Sequence, residues 1–345
     1  MKIHEKYINR CIQLAKNGLG STYPNPMVGS VIVYDNKIIG EGWHQKAGEA
    51  HAEVNAIHQV KENSLFKHAT IYVSLEPCSH FGKTPPCSDL IIAMGIKKVV
   101  IGTIDPFAKV AGRGIQKLIA AGCDVVVGVL EKECQELNKR FFTFHQKKRP
   151  YLILKWAQTQ NGFIAPSLQQ EREPVWISNR YNKLLVHKWR SEEQAILVGT
   201  QTAIKDNPKL DTRLWMGKSP LRLVIDKNLR IPKESYLYNQ KVKTIFFTEK
   251  EMGNLENVEF KKLDFSQDII SQLCDYLYDL GIQSLIIEGG GKTLEQFIAL
   301  EYWDEARITQ NESEWKDGIL APLIEGEITK EIKLQDNLVR YYEPK

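Results

Sequence analysis

Twice along this chain, short β-rich runs alternate with stretches of helical spacing, and that alternation restricts it to layered α/β folds with partly parallel sheets. In the first half, Tyr7, Ile8, Cys11, Ile12, Leu14 and Ala15 fall at helical spacing within residues 4–19. Strands are predicted over 28–34 and 37–43 around an Asp35-Asn36 turn, then a helix over 50–60, a strand over 71–75 and a helix over 88–94. Strand 98–102, helix 114–121, strand 124–129 and a helix from about 132 continue the pattern. His145-Gln146-Lys147-Lys148-Arg149-Pro150 is a short basic stretch ending in proline, and the domain boundary is placed there, giving domains 1–147 and 150–345. Beyond it come strand 151–156, a turn at Asn161-Gly162 and a helix capped by Ser178 and running to about Arg190. Strands at 195–199, 221–226, 244–248 and 284–288 and helices at 268–280 and 293–300 complete a second α/β domain. Two domains suit 345 residues at roughly 150 residues each.

Composition removes several function classes. The net charge of +4, from 46 basic and 42 acidic residues, argues for neither a nucleic-acid nor a membrane surface. No apolar run approaches the ~18 residues of a membrane span, and Met1 to Lys6 lacks a signal-peptide core, so the expected location is the cytoplasm. Six cysteines are too few for a disulfide scaffold, which turns attention to metal binding.

The most informative residues are His51-Ala52-Glu53 and, after one intervening strand, Pro77-Cys78 and Pro86-Cys87. Zinc favours imidazole and thiolate, and a catalytic site keeps three protein ligands with a fourth position for water. His51, Cys78 and Cys87 satisfy that count, and Glu53 at a helix start can serve the water without ligating the metal. H-x-E followed by P-C…C is the pattern of the zinc nucleobase deaminases. Cys11, Cys123, Cys134 and Cys274 have no such context and read as buried thiols.

Eight residues separate Cys78 from Cys87, where common cytidine and adenosine deaminases have two. The run Glu76-Pro77-Cys78-Ser79-His80-Phe81-Gly82-Lys83-Thr84-Pro85-Pro86-Cys87 resembles the fingerprint of the bifunctional riboflavin-biosynthesis deaminase/reductase family. Pro24-Asn25-Pro26-Met27-Val28-Gly29, Gly42-Trp43-His44, Ala47-Gly48 and Val110-Ala111-Gly112-Arg113-Gly114 agree with it. The resemblance implies a cytidine-deaminase-like α/β/α layer domain. Its substrate would be 2,5-diamino-6-(5-phosphoribosylamino)pyrimidin-4-one, losing its 2-amino group as ammonia. Asn25 offers a donor and an acceptor to a ring amide edge, and His44, His80 and Lys83 offer donors to a carbonyl or an anionic tail. The family's D-P-N-P run is Asp105-Pro106-Phe107-Ala108 here, so only Asp105 carries over.

In the second half, Glu288-Gly289-Gly290-Gly291-Lys292-Thr293 lies between a strand and a helix, where glycines let backbone N–H groups approach a phosphate. Neither a Walker loop nor G-x-G-x-x-G fits, because Ile286 and Leu294 occupy the required glycine positions. Resemblance to the riboflavin-pathway reductase implies a dihydrofolate-reductase-like domain that uses NADPH to reduce the ribosyl side chain to ribityl. By that resemblance Ala157, Trp176, Thr202, Asp206, Gly290, Gly291, Lys292, Thr293, Leu294, Glu295 and Gln296 line the NADPH site. Lys155, Arg190, Leu210, Arg213 and Glu288 face the substrate, Arg190 and Arg213 suiting a ribose phosphate and Lys155, Asp206 and Glu288 supplying proton and charge control.

Three departures mark this half: Asn161 replaces an Asp in the family's S-L-D-G turn, Pro174 replaces a Ser, and the segment from Asp304 with Asn311, Glu312 and Trp315 follows the pattern loosely. A deaminase with a catalytically silent reductase-like domain is therefore the competing reading. An RNA-editing deaminase would need a basic, aromatic-studded face, and a structural zinc protein a fourth ligand; neither is visible. The expected partner is a small phosphorylated pyrimidine, with no nucleic acid and no membrane, and a homo-oligomer stays open.

Overall fold

The computed structural model describes residues 2–79, 85–107, 111–168, 172 and 175–345. His80, Lys83, Val110 and Pro174, singled out above, lie outside the described residues. The chain divides into two compact units, Met1–Lys148 and Arg149–Lys345.

The first unit runs α1 (Lys2–Ala15), β1 (Gly29–Tyr34), β2 (Lys37–Trp43), α2 (Ala52–His58), β3 (Thr70–Leu75), α3 (Cys87–Ala93), β4 (Lys98–Thr103), α4 (Arg113–Ala120), β5 (Asp124–Val127), α5 (Glu131–Leu137) and α6 (Lys139–Lys147). Its five-stranded sheet has the order β2-β1-β3-β4-β5; β1 is antiparallel to both neighbours, and β3, β4 and β5 are parallel. Successive strand residues feed opposite faces. Val31, Val33, Tyr72 and Val100 pack with α1 and α5, whereas Ile32, Ile71, Val73, Val99 and Ile101 pack with residues of α2, α3 and α4. The result is the expected α/β/α layering. The helix expected from about 132 is broken at Asn138, whose side chain bonds both Met27 N–H (2.8 Å) and Met27 C=O (2.9 Å).

The second unit contains β6 (Tyr151–Gln158), β7 (Phe163–Ala165), α7 (Arg180–Glu192), β8 (Ala195–Gly199), α8 (Thr200–Asp206), β9 (Leu221–Ile225), β10 (Thr244–Thr248), β11 (Val258–Lys262), α9 (Ile269–Asp279), β12 (Ser284–Ile287), α10 (Gly291–Ala299) and β13 (Glu305–Asn311). It ends with β14 (Ile319–Leu320), β15 (Glu327–Leu334) and β16 (Asn337–Glu343). The nine-stranded sheet reads β11-β10-β9-β8-β12-β6-β13-β16-β15, parallel up to β13 and antiparallel beyond it. Alternation again builds two cores: Leu152, Leu154 and Trp156 face α9 and α10, while Tyr151 and Ile153 pack with α7 and α8 residues. The N-cap of α7 is Asn179, not Ser178; its side chain accepts from the N–H groups of Tyr181 and Asn182, both at 3.0 Å. No helix among the described residues is long and apolar enough to cross a membrane.

Candidate functional site

In the first unit the site forms where two helices begin. His51 is the N-cap of α2 in extended backbone, which turns its ring away from the helix towards the loop after β3. Cys78 lies in that loop, and Cys87 opens α3. His51 Nδ1 is 3.3 Å from Cys87 Sγ and 3.6 Å from Cys78 Sγ, and the three ligand atoms lie within 4.8 Å of one another. The backbone fixes this pairing: Cys87 N–H donates to Cys78 Sγ (3.2 Å), and Ser88 donates to Cys78 C=O through both N–H (3.1 Å) and Oγ (3.0 Å). One imidazole nitrogen and two sulfurs that converge fit zinc in kind and in number. The Cys78 thiol is held down to about 4, first by the Cys87 thiol and then by His51, while Cys87 is pushed up by the same bond.

Glu53, the second residue of α2, is only 3% exposed. Burial, followed by the charge of Cys78, raises its carboxyl to about 7. A carboxyl poised there can take a proton and return it at neutral pH. His44 lies against His51, ring centroids 5.4 Å apart, and its own roles follow from its partners. A carbonyl can only accept, so His44 Nδ1 donates to Ala50 C=O (3.1 Å), and Nε2 must accept from Asn25 Nδ2 (3.0 Å). Burial lowers the His44 pKa, in keeping with this neutral form.

One residue of this region was missed. Glu76 is buried and collects the N–H groups of Gly112 (2.9 Å), Gly114 (2.8 Å) and Asp105 (3.3 Å), pinning the loop before α4 beside Pro77-Cys78. A Cβ at Gly114 would lie 2.1 Å from Pro77 O, so only glycine allows this approach. The signal was present: a carboxylate preceding P-C, with a glycine-rich loop downstream.

In the second unit two cavities open at the carboxyl ends of parallel strands, the usual ligand position in such sheets. The first, about 650 Å³, is lined by Ala157, Trp176, Thr202, Asp206 and every residue from Gly289 to Gln296. The second, about 520 Å³, is lined by Arg190, Leu210, Arg213 and His187. Lys155 and Glu288 line both. Every described residue assigned to a cofactor thus reaches the first cavity, and every one assigned to this substrate reaches the second. The glycine turn has φ +112° at Gly289 and +65° at Gly290, and α10 starts at Gly291, two residues before its expected start.

Arg190 lines the second cavity and is paired within it. Its fork is spent on Glu288, Nε to Oε1 at 3.1 Å and Nη2 to Oε2 at 2.7 Å, and Nη1 donates to Asp211 C=O (3.2 Å). Burial would raise Glu288, but Arg190 and then Lys155 outweigh it and hold the carboxyl down, to about 2. Burial lowers the Lys155 pKa against the pull of Glu288. Asn161 lines neither cavity. Its amide accepts from Thr159 Oγ1 (2.8 Å) and donates to Trp315 C=O (2.7 Å), a pairing that an Asp carboxylate could not complete. The departure at this position is therefore structural.

His187 carries a measurable consequence. Burial, then Arg190 and Arg213, lower it from 6.5 to about 4. The folded state thus disfavours the charged ring, so the stability it contributes is full above about pH 6.5 and lost as pH falls towards 4. Melting temperatures taken between these values should fall more steeply for the unchanged protein than for His187→Leu. Equal slopes would contradict this account of His187.

Comparison with known proteins agrees with both halves. Residues 1–103 match the cytidine and deoxycytidylate deaminase zinc-binding region, and residues 150–311 match the RibD C-terminal domain. The riboflavin biosynthesis protein RibD of Aquifex aeolicus is 40% identical over 331 residues, covering 94% of this chain and 89% of that protein. That of Actinobacillus pleuropneumoniae is 43% identical over 307 residues, covering 86% and 79%. A solved diaminohydroxyphosphoribosylaminopyrimidine deaminase/5-amino-6-(5-phosphoribosylamino)uracil reductase from Thermotoga maritima superimposes with a TM-score of 0.90 at 35% identity, covering 100% of this chain and 99% of that one. RibD of Acinetobacter baumannii gives 0.89 at 30% identity with the same coverage. A zinc-deaminase half and a reductase half, related to these proteins along nearly the whole length, place the chain in the RibD family of bifunctional riboflavin-biosynthesis deaminase/reductases.

Proposed function

We propose that residues 1–147 deaminate 2,5-diamino-6-(5-phosphoribosylamino)pyrimidin-4-one and that residues 150–345 then reduce the ribosyl side chain with NADPH. His51, Cys78 and Cys87 hold zinc, which when bound lowers the pKa of a water. Glu53 would take a proton from the attacking water and pass it to the adjacent ring nitrogen, then carry the proton of the added hydroxyl to the departing amine, so that the C2–N bond breaks, ammonia leaves and a carbonyl oxygen replaces it. With Nδ2 committed to His44, Asn25 keeps Oδ1 to accept from the ring edge.

In the second unit, NADPH takes the cavity of the glycine turn and the deaminated pyrimidine takes its neighbour. When bound there, NADPH would supply the hydride that C1′ of the ring-opened imine gains. Lys155 supplies the proton that the imine nitrogen gains, and Glu288, fixed by Arg190, keeps Lys155 charged and in place. The observation that carries the reading is the shared wall: Lys155 and Glu288 border both cavities, where the hydride must cross. We place these reactions in the cytoplasm, on a small molecule, with neither nucleic acid nor membrane as partner.

The cofactor assignment is tested at Gly290. Its φ of +65° disfavours any side chain, and a Cβ would meet Thr202 Oγ1 at 3.0 Å on the wall of the cofactor cavity. Gly290→Val should weaken NADPH binding, read by quenching of tryptophan fluorescence, by about tenfold or more, while zinc content and ammonia release persist. Unchanged NADPH affinity would move the cofactor elsewhere.

A further inference from the structure

Asn25 has a direct task in deamination, and the loop that carries it is held from a distance. Asn138 sits where α5 ends and α6 begins, 111 residues from Met27, and is 3% exposed. Its Oδ1 accepts from Met27 N–H (2.8 Å) and its Nδ2 donates to Met27 C=O (2.9 Å). Met27 is itself buried, and the ladder of β1 with β2 begins only at Gly29. Asn138 thus gives Met27 the pair of bonds that a neighbouring strand would give. An asparagine at a helix N-cap usually spends its side chain on its own helix. Here it makes no such bond to α6 and is spent on Met27.

Two stiff residues carry that hold to Asn25. Pro26 fixes its own φ at about −65°, and a residue before proline is confined to extended backbone. With the peptide groups of Met27 fixed, little freedom is left between Met27 and Asn25. From the other side, Asn25 N–H donates to Thr22 C=O (2.8 Å), and Asn25 Nδ2 donates to His44 Nε2 (3.0 Å). Thr22 and His44 are near neighbours in sequence, so Asn138 is the long-range anchor of the three. Together they aim Asn25 Oδ1, the acceptor left for the ring edge. Aim matters: a misplacement of about 1 Å can cost on the order of 10²-fold in rate.

We infer that Asn138 is a positioning residue of the deaminase site, acting through Met27 and Pro26 on Asn25. This rests on the deaminase reading above. Asn138→Leu keeps the size and loses both bonds; Asn138→Asp keeps the acceptor and loses the donor, and either variant carries the test if the other fails to fold. In the zinc-loaded full chain, each should raise KM for the diaminopyrimidine phosphate about tenfold, much more than it lowers kcat. Zinc should stay near one per chain. Asn25→Ala alone should raise KM by a similar factor. Adding an Asn138 substitution to Asn25→Ala should change KM by no more than about twofold, whereas independent effects would multiply to about a hundredfold. Amide exchange over residues 24–29, followed by mass spectrometry, should speed up in both Asn138 variants.

Effects that multiply in the double variant would make Asn138 a packing residue independent of Asn25, overturning the inference and leaving the deaminase reading intact. An unmoved KM in the folded Asn138 variants or in Asn25→Ala would overturn it as well, and so would unchanged exchange over residues 24–29. Loss of zinc from the Asn138 variants would shift the effect to the metal and overturn it too. If the unchanged protein releases no ammonia from this pyrimidine, the deaminase reading falls. Faster exchange over residues 24–29 in the Asn138 variants would then still sustain the hold of Asn138 on the Asn25 loop.

Discussion

Cys87→Ser should lose most of its zinc and, with it, ammonia release. The sulfur of Cys87 is one of three converging ligand atoms, and a hydroxyl is a far poorer zinc ligand at neutral pH than a thiolate. Cys87 also opens α3, and its N–H bond to Cys78 Sγ survives the substitution, so the fold of the first unit should persist. The informative contrast is Glu53→Gln, which keeps shape but removes basicity. Zinc should remain near one per chain while deamination falls by about 10²–10⁴-fold. Metal analysis of the two variants separates ligand from proton carrier. Stoichiometric zinc in Cys87→Ser, or none in Glu53→Gln, would contradict these assignments.

Lys155→Met should disable the other half. Lys155 borders both cavities, beside Glu288, and burial already weakens its hold on its proton. Replacing it removes the proton source of the reduction, and kcat/KM for NADPH-dependent reduction should fall by about 10²–10⁴-fold. Glu288 keeps both bonds to Arg190, so its carboxylate is not orphaned, and NADPH affinity should change little. Ammonia release should be untouched. Reduction at an undiminished rate would remove Lys155 from the chemistry.

Much of this was legible in the residues because it rests on local rules. Unbroken apolar runs at Val31-Ile32-Val33 and at Leu152-Ile153-Leu154 mark strands buried on both faces, and the structure buries both faces. The convergence of His51, Cys78 and Cys87 was legible because H-x-E and Pro86-Cys87 sit at helix starts and Pro77-Cys78 follows a strand, where chain direction fixes the side chains. What escaped depends on distant partners. The break at Asn138 answers to Met27, 111 residues away, and the commitment of Arg190 answers to Glu288, 98 residues away. The closing hairpin had a signal that was passed over: Ile328, Ile332 and Leu334 alternate before a turn at Gln335-Asp336. A register shift between Ile328 and Lys330 obscures the period. Strands β7, β11, β13 and β14 and helix α8 were likewise not anticipated, each being short or lying beyond the last clear helix.

The central claim is that one chain performs both reactions in sequence. Purified full-length protein, loaded with zinc and given the diaminopyrimidine phosphate with NADPH, should release ammonia and then consume NADPH. At completion the two should stand one to one. Ammonia released in full with NADPH left untouched, even when the deaminated pyrimidine is added directly, would show the second unit to be silent and contradict the account.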